Sequence, residues 1–415
     1  MSPVDRPILH GLGLSGAYSS NAGDIRTAYL NPAGLASISG LQFYLSGGTS
    51  GRLWQENQVY RPNRFFVTLP YYLEGLYTPD PANNGSWDHE IAPDTLYHVE
   101  WPDLGLDPFS AKAADWQEEW TDNGLFNLAA AVPINLGKRQ IALGLAYNRR
   151  ADLLDYDRNA TYLEPHPGYS LYNEIERVNG VDTTQIDWYD FERRRTGTIH
   201  DITVNLAAAV SEKLDLGLSI RTTVGSTDDQ LSLDKVGWFR MYKEQRFRFS
   251  YDTLATVTSG TSDISSVEVR VGGLLKLNNL NISFSASLPQ TLTRSWNYTT
   301  TVTSLEGSAA SDESGEDKVV LPSNLAFGLS FHPSDKFIFY MDISKLSTGR
   351  GEYTPAVEDT LGLRWVDSGI LNFGAIYQLT SNIGLRAGYH YNTVVFAPDG
   401  AAYRDEGPPI NSYNL

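Results

Sequence analysis

From about residue 125 onward the chain repeats one device, in which a run of strict apolar alternation is followed by a tight polar link and a second alternating run. In one run Ile141, Leu143, Leu145 and Tyr147 alternate with Ala142, Gly144, Ala146 and Asn148. In another Leu214, Leu216, Leu218 and Ile220 alternate with Asp215, Gly217, Ser219 and Arg221. A period of two is the period of a strand, whose successive side chains point to opposite faces, so these pairs of runs predict antiparallel hairpins.

The links fall into two classes. Gly137-Lys138, Glu212-Lys213, Asn278-Asn279, Pro333-Ser334-Asp335 and Thr380-Ser381-Asn382 are short. The connections at the other end are predicted to span roughly residues 73 to 124, 153 to 196, 226 to 263, 290 to 318, 347 to 368 and 396 to 410. Short turns at one end and long loops at the other are the arrangement of an outer-membrane barrel, with the turns on the periplasmic side. Earlier strands are predicted at 41 to 50, 53 to 61 and 65 to 72, with Pro62-Asn63 as a turn, and a last one near Tyr413. The count is about fourteen, an even number that closes a wall without a free edge. Because the chain stops at Asn414-Leu415, the reading expects that last strand to be truncated.

Charge placement is an independent test. A lipid-facing charge near the bilayer midplane costs roughly 2 to 4 kcal/mol, whereas one facing the interior is tolerated. Asp215, Arg221, Glu268, Arg270, Lys276, Asp342 and Arg386 all take the parity opposite the large apolar residues. The expected fold class is therefore all-β, a transmembrane antiparallel barrel. Residues 1–40 form an N-terminal plug and 41–415 the wall.

Composition narrows partners. A net charge of -17 over 415 residues disfavours nucleic acid, which needs a concentrated basic face. With no cysteine there are no disulfides, thiolate metal sites or cysteine nucleophiles. No stretch approaches 18 consecutive apolar residues, so a membrane-spanning helix is excluded. The opening MSPVDRPILH lacks the charged start and apolar core of a secretory signal, which leads to the expectation of a mature form with an added Met.

Ahead of the first strand stands a run of small residues, LSGAYSSNAGDIRTAYLNPAGLA. Within it Pro32 fixes its own φ, lacks an N–H and pushes Asn31 to extended backbone, so Asn31, Pro32, Ala33 and Gly34 mark a bend. The small-residue run, the Asp and the Asn-Pro-Ala that follow it, together with about fourteen strands, resemble the FadL family of outer-membrane hydrophobic-compound transporters. The resemblance implies that Asn31, Pro32 and Ala33 belong to a hatch plugging the barrel. It further implies passive passage of long-chain fatty acids or aromatic hydrocarbons, with lateral exit through the wall and no cofactor. PorV-type relatives, which serve protein secretion or surface attachment through a partner protein, are the alternative.

Other residues carry chemistry. Pro70, in a predicted strand, is a candidate for a weak point in the wall, because proline cannot donate to the ladder. Arg149, Arg150, Arg193, Arg194 and Arg195 meet at the outer rim of one hairpin. By parity Arg149 and Arg194 face lipid, where lipopolysaccharide phosphates lie, while the other three could meet a ligand carboxylate or a network with Asp155, Asp190 and Glu192. Between those strands Tyr162, Tyr169, Tyr172, Trp188, Tyr189 and Phe191 could line a greasy outer groove. Gly11, Gly13 and Gly16 match a dinucleotide fingerprint only formally, with no strand before or helix after. Asp155, Asp157 and Asn159 begin like a calcium loop that fails at Ala160 and His166, and the histidines at 89 and 98, near Asp88 and Glu90, lack zinc-site spacing. No metal is expected. An enzyme is not expected either, His200 beside Asp201 being the only loosely suitable acid–base pair for a hydrolase.

Overall fold

The computed structural model describes residues 14–55, 92–93, 116–137, 139–166, 177–178, 181–242, 246–251, 254–356, 366–393 and 410–414. Two short 3-10 helices come first, η1 (Ile25–Tyr29) and η2 (Pro32–Ser37). Strands follow: β1 Gln42–Gln55, β2 Ala92–Pro93, β3 Gln117–Leu136, β4 Arg139–Asp152, β5 Asp155–His166 and β6 Arg177–Val178. Next are β7 Val181–Ala209, β8 Leu214–Tyr242, β9 Arg246–Tyr251 and β10 Ala255–Lys276. After them come β11 Leu280–Ser287, β12 Gln290–Ser304, β13 Gly307–Leu321, β14 Asn324–Ser334 and β15 Phe337–Leu346. The chain finishes with β16 Glu352–Thr354, β17 Ser368–Gln378, β18 Gly384–Asn392 and β19 Ile410–Asn414.

Neighbours in sequence are neighbours in space, as short hairpin links require. Antiparallel pairing runs β1–β3–β4–β7–β8–β10, on to β11 and β12, then through β14, β15, β17 and β18 to β19. All five predicted short links lie at one end of this sheet, between β3 and β4, β7 and β8, β10 and β11, β14 and β15, and β17 and β18.

The predicted long loops are different. Much of 153–196, 226–263 and 290–318 is strand: β7 and β8 have 29 residues each, and β12 and β13 form a hairpin with only Leu305 and Glu306 between them. The apolar alternation stops there, but the ladder does not, because backbone pairing continues through residues such as threonine, which keeps strand propensity, while both faces become polar. At the start of the wall the predicted break between residues 50 and 53 is likewise absent. Gly51 and Arg52 pair with Thr121 and Trp120 inside one strand, and the rest of the predicted strands at 53–61 and 65–72 lies outside the described residues. The last strand begins at Ile410 rather than near Tyr413.

The outward parity is apolar. Val204, Leu206, Leu216, Ile220, Val267 and Leu325 are exposed on it, a band too large for a water-facing surface. Of the charges assigned inward, Asp215, Arg221, Glu268 and Asp342 are buried, while Arg386 keeps its parity but is exposed. Among the described residues no helix is long and apolar enough to cross a membrane. The apolar band belongs against hydrocarbon. Val204→Arg, in phospholipid bilayers, is therefore expected to lower the unfolding free energy by about 2 to 4 kcal/mol. Gln230→Arg, on the same face above the band, should change it by less than about 0.5 kcal/mol. Equal effects in a denaturant titration would contradict a hydrocarbon-facing band.

Candidate functional site

The inner face holds residues 14–38, of which 16 are buried and the other nine partly buried. Their packing sets large apolar side chains of the segment mainly against alanines of the wall. Ile25, Ala28, Tyr29, Leu35 and Ile38 cluster with Ala129, Ala131, Ala142, Ala146 and Ala207 of β3, β4 and β7. Farther along the sheet Leu14, Ala17 and Tyr18 cluster with Tyr340 of β15. Each large side chain buried this way stabilises the contact by about 1.5 to 3 kcal/mol. Since one segment touches strands from β3 to β18, the sheet curves round it.

The bend expected at Asn31 is present. Asn31 is extended (φ -142°, ψ 106°), caps η2 by accepting from the Ala33 N–H at 3.1 Å, and Pro32 occupies the first turn, where its missing N–H costs nothing. The Asn31 amide also donates to the carbonyls of Ser19 and Gly273, at 3.3 and 3.2 Å, so the capping residue ties the segment to itself and to β10. Close approach depends on wall glycines. A Cβ on Gly272 would stand 2.0 Å from Asn31 Oδ1, and one on Gly217 would stand 2.4 Å from the Ala33 nitrogen.

Charged wall residues bind the segment at three levels. Farthest from its bend, Asp342 Oδ2 accepts the N–H groups of Tyr18 and Ser19 at 2.8 and 2.9 Å, and Oδ1 accepts the Ser19 hydroxyl at 2.7 Å. At the end of η1, Arg221 and Arg270 both donate to the Tyr29 carbonyl at 3.1 Å, meeting carbonyls that the helix leaves without partners. Close to the short turns, Ser37 donates to Asp215 at 2.7 Å and accepts from Lys276 at 2.9 Å. A carboxylate taking several N–H donors is a strong, charge-assisted anchor. The sequence marked these residues as inward charges without assigning them to the segment, and the further clue was the inward glycines at 217 and 272 on two of the same strands, β8 and β10.

Beside the Arg221–Arg270 level lies a small cavity of about 80 Å³. One side of it is apolar, from Leu30, Leu321, Pro322, Ala326 and Leu346, and the other carries Arg150, Arg221, Arg270 and Glu268. Their charges are matched: Glu268 pairs with Arg270 at 2.7 Å and with Arg221 at 3.5 Å, and Asp201 lies 3.7 Å from both Arg150 and Arg221. The lining is mixed, apolar on one side and charged on the other.

The rim arginines are each ion-paired. Arg193 meets Asp155 and Asp157, Arg194 meets Glu118 and Glu192, and Arg195 meets Asp229. Arg194 follows its outward parity and is half exposed. Arg149 does not stand free on the lipid side, because a bulge between Arg149 and Ala151 interrupts the alternation and the side chain, only 12% exposed, turns to Asp122 and Asp152. Tyr162, Trp188, Tyr189 and Phe191 lie on paired strands, β5 and β7, instead of on a loop, whereas Tyr169, Tyr172, Pro70 and the two histidines at 89 and 98 lie outside the described residues. His200 and Asp201 point to opposite faces. The ring contacts Tyr147 and Thr198, while the carboxylate accepts from Thr223 on the inner side, so they form no acid–base pair.

In fold, the structure matches a FadL homologue from Pseudomonas aeruginosa with a TM-score of 0.52, at 13% identity over 100% of this chain and 85% of that one. The chain has the FadL-type fold. The deltaS2S3 mutant of the monoaromatic hydrocarbon channel TodX matches with a TM-score of 0.51, at 14% identity over 94% of this chain and 83% of that one. No family model and no curated protein matches the sequence.

Two outcomes check the anchoring. Gly272→Ala is expected to loosen the segment, read as faster cleavage within residues 14–38 by an added protease, whereas Gly273→Ala, whose added Cβ meets its nearest atom at 3.7 Å, should leave the rate unchanged. The second concerns Asp24. Burial pushes its carboxyl up, but hydrogen bonds from Arg26 and Tyr18 outweigh this and hold it below the ordinary range. A carboxylate lowered by folding stabilises fully above its unfolded pKa of about 4, and that stabilisation is lost as pH falls through the folded value. Asp24→Asn should therefore narrow the stability difference between pH 7 and pH 3, measured by denaturant midpoints, and an unchanged difference would contradict the assignment.

Proposed function

We propose that the protein is a passive outer-membrane conduit for hydrophobic small molecules, long-chain fatty acids or aromatic hydrocarbons, in which residues 14–38 act as the hatch and ligand leaves sideways through the wall. The observation that carries this reading is how the segment is held. It occupies the inner face of the sheet, yet it is fixed there by side-chain hydrogen bonds, with Asp342 accepting its backbone N–H groups, Arg221 and Arg270 donating to its Tyr29 carbonyl and its own Asn31 amide donating to the Gly273 carbonyl, not by ladder pairing with the wall. Each such bond contributes roughly 0.5 to 3 kcal/mol, so the set can be exchanged while the wall stays paired. An apolar solute gains about 0.8 kcal/mol per CH₂ buried, and a sideways route spares it an axial passage along polar residues. The FadL homologue and the hydrocarbon channel that share the fold support the same class of solute. The apolar outer band would contact membrane lipid, and Arg194 would meet lipopolysaccharide phosphate at the rim.

The test is uptake of a fluorescent long-chain fatty acid and of toluene into liposomes carrying the intact chain. Flux above protein-free liposomes is expected, with several-fold changes in Arg270→Gln and Pro32→Ala, which weaken the anchor and the bend. No flux from the intact chain would overturn the transport reading, and equal flux in all three would overturn the hatch.

A further inference from the structure

The tall side of the wall ends in a strand that is paired along one edge only. β12 lies between two neighbours, paired with β10 from Leu292–Ser266 to Thr303–Ala255 and with β13 from Gln290–Leu321 to Ser304–Gly307. β13 has β12 on one edge, but its other edge meets only β16, through Lys318, Val319 and Val320. Just above them Ala356 donates its N–H to Asp317 at 2.9 Å and lies against Gly315. From there to the turn, Gly307–Ser314 has no second neighbour among the described residues, and all of its side chains are exposed. At roughly 3.3 Å per residue this open stretch is about 26 Å long.

The turn decides which backbone groups face the open edge. Only Leu305 and Glu306 separate Ser304 from Gly307, so these two form a hydrogen-bonded pair, and hydrogen-bonded and non-bonded pairs alternate from there. The N–H and C=O groups of Ser308, Ala310, Asp312 and Ser314 therefore point away from β12. An edge of this kind is a template for another strand, and proteins commonly blunt it with proline, lysine, a bulge or a short strand. Gly307–Asp317 contains no proline and no lysine, and its register with β12 runs without a shift. Its glycines, alanines, serines and acids are residue types depleted from strands, and a two-stranded hairpin in water is marginal, so a third strand would stabilise it.

Charge selects the occupant. From Leu305 to Asp317 the chain carries Glu306, Asp312, Glu313, Glu316 and Asp317 and no cation. Glu316 pairs with Lys318 and Asp317 with Arg294. Asp312 accepts the Thr299 hydroxyl at 2.6 Å, and among the described residues neither it nor Glu313 has an ion pair. A second copy of the chain added edge to edge would bring two acidic strands together, which like charges oppose. A basic strand meets no such penalty, and because Asp312 and Glu313 point to opposite faces, it gains from cations on both of its own.

We propose that the open edge of β13 is a docking site for a lysine- or arginine-rich extended segment of a partner protein, which adds as a strand along Gly307–Ser314 at the end of the wall away from the short turns. Ladder bonds hold the segment, and Asp312 and Glu313 select its charge. Docking here is independent of transport through the wall.

The probe is a synthetic peptide of about twelve residues, repeated Lys-Lys-Thr-Thr, long enough to line Gly307–Ser314. It should bind saturably to the intact chain in phosphatidylcholine nanodiscs and slow hydrogen exchange of the Ser308, Ala310, Asp312 and Ser314 amides at least about tenfold. No binding overturns the docking site. Protection of those amides before peptide is added overturns the open edge, and a dimer joined through β13 in its absence makes a second copy the occupant and overturns the basic partner. N-methylation of alternate peptide residues keeps every charge but removes backbone donors, and should abolish binding. Ala310→Pro removes a donor from the open edge and none from the β12 ladder, so exchange at Ala309 and Ser311 should stay unchanged while the peptide binds at least about tenfold more weakly. Asp312→Lys with Glu313→Lys should weaken it as much, whereas Leu305→Ser, at the exposed tip, changes nothing. Binding that survives N-methylation or Ala310→Pro overturns strand addition, and binding that survives the charge reversal overturns the basic occupant.

Discussion

A buried carboxylate holding two backbone N–H groups, and two buried guanidinium groups sharing one backbone carbonyl, are the interactions on which the rest of this molecule depends. A concave β-sheet with an apolar outer face has nothing apolar of its own large enough to fill its inside. Asp342, Arg221 and Arg270 solve this by tying down a segment that brings Tyr29, Leu35 and Ile38 with it. Burying those charges without partners would be costly, and burying the backbone groups of a short helix end without partners would be costly too. Bringing the two sets together satisfies both.

Much of this was legible in the sequence. Alternation at period two located the strands, and the parity of Asp215, Arg221, Glu268, Arg270 and Asp342 separated the inner face from the outer one. The bend at Asn31 followed from Pro32 alone. The misreadings share a cause. Strand length was judged from apolar alternation, so the polar extensions of β7, β8, β12 and β13 read as loops although their threonines and serines pair as well as the apolar rungs below. The break expected between residues 50 and 53 is bridged, since Gly51 and Arg52 pair with Thr121 and Trp120 within one strand. Nor can parity see a bulge, and one residue's slip at Arg149 was enough to turn its side chain from open lipid toward Asp122.

The site was legible in type but not in arrangement. Inward charges were visible one strand at a time, whereas their convergence depends on the order of strands in the sheet and on glycines 217 and 272 letting the backbone approach.

The contact between Tyr18 and Asp342 spans 324 residues of sequence. Contacts between such distant parts of a chain are the slowest to form, because the intervening chain must be ordered before the contact is rewarded. The N-terminal segment leaves the ribosome first, but its anchor on β15 exists only after most of the wall has been made. The start of this chain is thus among the last pieces to find its place, and until it does the alanine-lined inner face of β3, β4 and β7 stands open.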